Sequence, residues 1–204
     1  MVAAYENLTR DRRLKHVYNL SDFEQRAHKL LPKALAEYVF GGVEDNTTLA
    51  NNRRQFDDHT LLTRVLSDVS ARHTGHTLFG QIYTAPFGIA PVGVSALIAF
   101  NGDNVMASAA YKLGVPMILS GSSLTRLEEV KQHHPQVWFQ AYLPGQPDLQ
   151  DALIERVAAA GIDTLVITVD IPVWANRENN MRAGFSLPLR PSWSLLVDGL
   201  LHPR

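Results

Sequence analysis

The 204 residues contain no cysteine, which excludes disulfides and thiolate catalysis and leaves the redox compartment undetermined. An excess of one charge is missing too, since 19 Lys and Arg stand against 20 Asp and Glu. No net field therefore draws the chain to nucleic acid or to an anionic bilayer. The densest basic run, Arg10 to His16, is a local patch that reads as a solvated face or arm. The most apolar window, Phe87 to Phe100, carries Pro91 and falls short of the about 20 residues a membrane span needs. Arg, Asp and Glu crowd the N-terminus, so no secretory signal pattern is present. These absences describe a soluble, cytoplasmic protein, with peripheral membrane attachment left open.

Catalytic signatures are scarce as well. There is no P-loop, no G-x-S-x-G and no zinc pattern. Of the eight histidines, His73 and His76 flank Thr74-Gly75 in loop sequence, and His133-His134 close a helix. No metal is expected.

What the chain has is 46% apolar residues, ample for a core. Ser21-Asp-Phe-Glu24 fits a capping box opening a helix whose apolar face is Phe23, Ala27, Leu30 and Leu31. Pro32 suits the first turn of a second helix, which Gly41-Gly42 would end by a left-handed stop. A third helix covers Asp45 to Phe56, and residues 60–84 read as a hairpin or two.

From Pro86 the pattern is regular. Short apolar runs begin at Phe87, Pro116, Val137 and Thr164, 21 to 29 residues apart, the rhythm of parallel βα units. Between them lie helices at Asp103–Leu113, at a second capping box, Thr125-Arg-Leu-Glu128, and at Asp148–Ala160. Val105, Met106, Ala109, Ala110 and Leu113 are the expected inner face of the first, and Leu149, Leu153 and Val157 that of the last. The final run, Thr164 to Asp170 bounded by Pro172, reads as a strand buried on both faces.

Four such units do not close a barrel of eight. The first strand–helix turn, Pro91-Val-Gly-Val-Ser, lacks the G-x-G-x-x-G loop of a dinucleotide fold. The expected fold is α/β, an incomplete TIM (β/α)8 barrel. Its first four βα units, in residues 61–204, are preceded by a helical segment over 1–60.

Each strand ends in polar residues: Ser120, then Gln140 with Tyr142, then Thr168 with Asp170. In a barrel these line one rim, where chemistry sits. Hydroxyls and an amide without fixed charge suit a flat cofactor bearing donors and acceptors. Singly, each also fits a strand reaching water. Arg177 presents a planar fork for a carboxylate, and Tyr38, just before Gly41-Gly42, could reach the same anion. The plain alternatives are a core aromatic for Tyr38 and an ion pair with Glu178 or Asp170 for Arg177.

Five segments appear in a telling order: Leu31-Pro-Lys-Ala-Leu-Ala-Glu-Tyr-Val-Phe-Gly-Gly-Val-Glu-Asp, Ile89-Ala-Pro-Val-Gly, Leu119-Ser-Gly-Ser, Trp138-Phe-Gln-Ala-Tyr, and Thr168-Val-Asp with Asn176-Arg-Glu. Over residues 18–204 the chain resembles the FMN-dependent α-hydroxy-acid dehydrogenases and oxidases, the glycolate oxidase, lactate dehydrogenase and mandelate dehydrogenase type. The resemblance implies that the backbone of Pro91, Val92 and Gly93 passes beside the flavin of FMN. It implies that Ser120, Gln140 and Thr168 hydrogen-bond the flavin. Tyr38 and Arg177 would hold the substrate carboxylate, and Tyr142 would meet its hydroxyl. The implied partner is a small 2-hydroxy acid, with a homo-oligomer of the full-length form left open.

Departures shape the expectation. Ala99-Phe100 stands where the family usually has His-Pro, and Asn101 where it has an acid. Ser122 replaces a bulky aromatic of the glycolate oxidase type and, with Gly93, leaves room for aromatic or branched side chains. The resemblance also places the family's flavin-facing lysine, histidine base, second substrate arginine and phosphate loops beyond residue 204. The 204 residues alone are thus expected to be inactive and poorly soluble. The alternative is a non-catalytic chain acting as a binding or assembly module. An aldolase-type barrel is disfavoured, because none of the four strand runs carries a lysine.

Overall fold

A computed structural model of the chain describes residues 14–170, 173–186 and 192–201, without the side chains of Ser194 and Leu195. Most of the Arg10–His16 run, and Pro172, lie outside the described residues. The chain forms two compact units, one of Met1–Thr60 with Ala175–Arg204 and one of Leu61–Trp174.

The first unit opens with α1 (Leu20–Leu30), α2 (Lys33–Phe40) and α3 (Thr47–Asp57). The capping box lies two residues earlier than the Ser21 start read from sequence. Asn19 Oδ1 accepts the Asp22 N–H at 3.0 Å, and Asp22 Oδ2 accepts those of Asn19 and Tyr18. Asp22 reaches back to two N–H groups at once, which holds its carboxyl below the usual range and outcompetes the Ser21–Glu24 alternative. None of the residues of α1 is buried, so of its predicted apolar face only Leu31, just past the end, reaches the interior.

Gly41 does end α2, but in an extended rather than left-handed conformation. Space is the reason for glycine there. A Cβ on Gly41 would lie 2.4 Å from the Glu37 carbonyl and 2.9 Å from the Asn179 side chain.

The second unit begins with one hairpin, β1 (His76–Leu78) and β2 (Gln81–Tyr83), paired antiparallel. Phe79 and Gly80 form its two-residue turn with φ of 48° and 76°, the doubly positive pattern that matches strand twist. Then follow α4 (Ser95–Ile98), α5 (Gly102–Leu113), β3 (Ile118–Leu119), α6 (Leu127–His133), β4 (Trp138–Ala141), α7 (Pro147–Ala159) and β5 (Leu165–Ile167). β3, β4 and β5 form a parallel sheet in chain order.

The strand expected at Phe87 is reduced to a parallel bridge between Ile89 and Met117. In that register the next rungs would use the N–H groups of residues 91 and 116, both prolines, so the ladder cannot extend. Ile89 is held on both sides, its N–H donating to the Pro116 carbonyl at 2.9 Å and its carbonyl accepting from Ile118 at 3.0 Å.

Met117, Leu119, Val130, Val137, Phe139 and Ala107 form the core, with Leu153 packed on its edge. The inner face of α5 differs from the periodic reading. Asp103, Asn104, Ala107 and Ala110 are buried, whereas Val105, Ala109 and Leu113 are exposed. Polar partners turn the helix: the Ser123 hydroxyl donates to Asp103 at 2.7 Å, and Asn104 binds Glu129. On α7, Val157 is buried but Leu149 is exposed.

The second capping box does not form, since α6 has no side-chain cap. Its Glu128 instead takes both Nε and Nη2 of Arg156 at 2.9 and 3.0 Å. Those bonds, with help from the helix backbone, hold the Glu128 carboxyl down to about 2. β5 is not buried on both faces either, and Ile167 is 48% exposed, because among the described residues only β4 pairs with it.

After residue 174 the chain returns to the first unit with α8 (Glu178–Arg182) and α9 (Trp193–Leu201). No helix among the described residues is long and apolar enough to cross a membrane.

Candidate active site

The parallel register sets the first group of side chains. Leu119 pairs with Phe139, and Gln140 with Val166, so Ser120, Gln140 and Thr168 fall at neighbouring strand ends. They are joined in a line. Ser120 Oγ donates to Gln140 Oε1 at 3.2 Å, and Gln140 Nε2 donates to Thr168 Oγ1 at 2.8 Å. Gln140 Oε1 also accepts the Gly121 N–H at 3.1 Å, and Ser120 Oγ accepts that of Ser122 at 3.1 Å.

Gln140 is only 2% exposed, so its amide must be satisfied or reserved for a ligand. Its oxygen has two donors, and one of its two N–H bonds is used. Among the described residues, the second N–H and the Thr168 hydroxyl hydrogen have no acceptor. The row thus offers donors, without charge, at one end of the sheet.

Beside it runs Pro91-Val92-Gly93. Pro91 and Val92 are exposed and Gly93 is half-buried. The next residue, Val94, donates its N–H to the Ser122 carbonyl at 3.0 Å, so the two small residues of the sequence argument, Gly93 and Ser122, sit at one crossing. Val94 has φ of 49°. A β-branched residue in that region is strained by about 1–2 kcal/mol, and such strain clusters where a backbone is held for a ligand. Composition and spacing gave no signal for it. Tyr142 directly follows β4 and is half exposed, and no hydrogen bond links it to the row among the described residues.

Tyr38 and Arg177 meet in the other unit. Arg177 caps the start of α8, and its Nη2 donates to the carbonyls of Tyr38 at 3.0 Å and Gly41 at 2.9 Å. Its guanidinium carbon stands 5.1 Å from the centre of the Tyr38 ring, whose other neighbour is Phe185, stacked at 4.4 Å. These carbonyls are the negative end of α2, where a cation is favoured.

The Nε of Arg177 is buried and has no partner among the described residues. Glu178, one of its two sequence candidates, binds Arg182 and Asn176 instead. Asn179 Nδ2 donates to Asn46 Oδ1 at 2.9 Å, which also accepts the Gly42 N–H at 2.7 Å. That asparagine pair joins α8 to the residues around Gly42, and nothing in its sequence spacing marks it. Among the described residues no group of three or more His, Asp or Glu could share a metal ion.

The sequence model of the FMN-dependent dehydrogenases matches residues 27–204. The chain belongs to that family. FMN is the family's cofactor. An L-lactate dehydrogenase of Caulobacter sp. strain K31 is 38% identical over 188 residues, 92% of this chain and 49% of that protein. The (S)-mandelate dehydrogenase of Pseudomonas putida is 31% identical over 191 residues, 93% of this chain and 48% of its own. Among solved structures, a monotopic membrane protein, (S)-mandelate dehydrogenase, superposes with a TM-score of 0.86 at 31% identity. The match covers 92% of this chain and 50% of that one. This member of the family therefore spans about half the length of the relatives it matches.

Proposed function

We propose that these residues form the flavin edge and part of the carboxylate site of an FMN-dependent 2-hydroxy-acid dehydrogenase or oxidase with a (β/α)8 barrel. One observation carries the reading: the hydrogen-bonded row Ser120–Gln140–Thr168, with a buried amide keeping one N–H in reserve. A flat ring edged with carbonyl and ring-nitrogen acceptors fits such a row. The Pro91–Gly93 backbone beside it suits close approach of the ring, and the strained Val94 holds that backbone in place. FMN, when bound, accepts the two electrons released as R-CHOH-COO⁻ becomes the 2-oxo acid.

Arg177 keeps a buried donor for a carboxylate, and Tyr38 packs against its guanidinium. Tyr142 takes, on the family resemblance, the role of meeting the substrate hydroxyl. We propose that the roomier crossing at Gly93 and Ser122 favours branched or aromatic acids over glycolate. The 204 residues alone do not turn over on this reading, because a general base contributes about 10²–10⁴-fold and relatives are about twice as long. Peripheral attachment to a membrane belongs to the same proposal, supported by the monotopic mandelate dehydrogenase.

The test is co-expression with the C-terminal half of a relative, followed by the flavin spectrum of the purified pair. The pair should be yellow and active, and Gln140→Leu should lower the flavin content several-fold. A colourless pair that is well folded would favour the non-catalytic module.

A further inference from the structure

We propose that Asp103 is a positioning residue for the flavin edge, acting through Ser123, an inference that rests on the functional reading above. Asp103 lies in the first turn of α5 and is 1% exposed. Among the described residues no lysine or arginine pairs with it. Enclosing a carboxylate without a cation is unfavourable unless dipoles and hydrogen bonds hold it. The helix N-terminus supplies the dipole, and the Ser123 hydroxyl supplies a bond at 2.7 Å. A neutral side chain would be easier to bury, so the charge has a further use. Hydrogen bonds to a charged group are roughly twice as strong as neutral ones, which suits a post that must hold a turn still.

What it holds is the turn that follows β3. The Ser123 N–H donates to the Ser120 carbonyl at 3.0 Å, and Ser123 Oγ accepts the Thr125 N–H at 2.9 Å. Inside the turn, the Gly121 N–H reaches Gln140 Oε1 and the Ser122 N–H reaches Ser120 Oγ, each at 3.1 Å. These bonds aim the Gln140 amide, whose second N–H is the donor proposed for the flavin. The Ser122 carbonyl accepts the Val94 N–H at 3.0 Å and so fixes the segment proposed to pass beside the ring. The start of α5 also holds that segment directly. A Cβ on Gly102 would lie 3.1 Å from both the carbonyl oxygen and Oγ of Ser95, so α4 is seated on the first residue of α5. Asn104 binds Glu129 of α6, which anchors the chain beyond the turn. Gly102, Asp103 and Asn104 thus tie both segments of the flavin edge to one helix end.

Amide hydrogen exchange and bound FMN are measured on the co-expressed pair for Asp103→Asn, Ser123→Ala and the double variant, beside Gln140→Leu. Asp103→Asn should speed exchange at Val94 and Ser122 by about tenfold relative to Phe139 in β4, and lower the FMN content several-fold. Ser123→Ala should do the same, and the double variant no more than either, since both changes remove one interaction. Ser123→Ala leaves the start of α5 and its charge intact, so it decides alone if Asp103→Asn fails to fold. Exchange that rises equally in β4 and at Val94 would make Asp103 a support of the fold only, and would overturn the inference. Unchanged exchange at Val94, or unchanged FMN where Gln140→Leu loses it, would overturn it too and leave the functional reading standing. An unmodified pair that folds without FMN removes that reading and this inference together.

Discussion

Arg177 is held from both sides of its function. Two carbonyls at the end of α2 fix Nη2, and the buried Nε, the donor proposed for the substrate carboxylate, has no partner among the described residues. A lysine keeps the charge but not the fork. In the active pair, Arg177→Lys should therefore raise KM for the 2-hydroxy acid, by roughly tenfold or more for a charged hydrogen bond. It should change kcat much less if the contact is equal in ground and transition states. Steady-state kinetics over a range of acid concentrations separates the two.

Glu128 makes a different prediction. Its carboxyl lies at about 2 against an ordinary 4.5, chiefly through Arg156. A lowered value means that the folded state gains stability above the unfolded value and loses it as pH falls towards 2. Glu128→Gln should flatten that slope in acid unfolding between about pH 4.5 and 2. The pair is exposed, so added salt should shrink the effect. Residues of this kind were only partly legible in the sequence. Ser120, Gln140 and Thr168 stand at strand ends, where period and position reveal them. Asn46 and Asn179 meet across 133 residues, and no local pattern announces such a pair.

Among the elements, α1 shows how local chemistry decides between near-equal starts. Asn19 and Asp22 exchange hydrogen bonds, two residues ahead of the Ser21–Glu24 alternative. Asn19→Ala should destabilise the chain by about 1 kcal/mol, whereas Ser21→Ala should change little. Chemical denaturation of the two variants decides. The parallel strands and their helices were readable because each helix closes at a marked residue, such as Gly114 or Gly161, both at positive φ. The Phe87 strand was not, because an apolar run says nothing of the N–H groups that Pro91 and Pro116 withhold from the ladder. The inner face of α5 misled for a related reason. Buried Asp103 and Asn104 find polar partners, and hydrophobic period alone cannot anticipate a polar seat.

At the scale of the whole molecule, the family and its α/β class follow from ordered motifs that the chain retains over residues 27–204. Substrate preference belongs to this scale too, since it depends on the complete pocket. The active pair should prefer mandelate or a branched 2-hydroxy acid to lactate, and lactate to glycolate, by kcat/KM. Glycolate as the best of the three would refute the roomy crossing at Gly93 and Ser122.

The ties between residues 38–46 and 176–182 also bear on how the polypeptide is made. The Arg177 and Asn179 bonds, and that of the Glu44 N–H to the Asn176 carbonyl at 3.1 Å, join partners made far apart in time. At about 5–20 residues per second on the ribosome, the first helices wait roughly 10 s for the segment that completes them. Through that interval the nascent N-terminus is a client for chaperones, and a ribosome stalled before residue 176 carries helices that have nothing to close on.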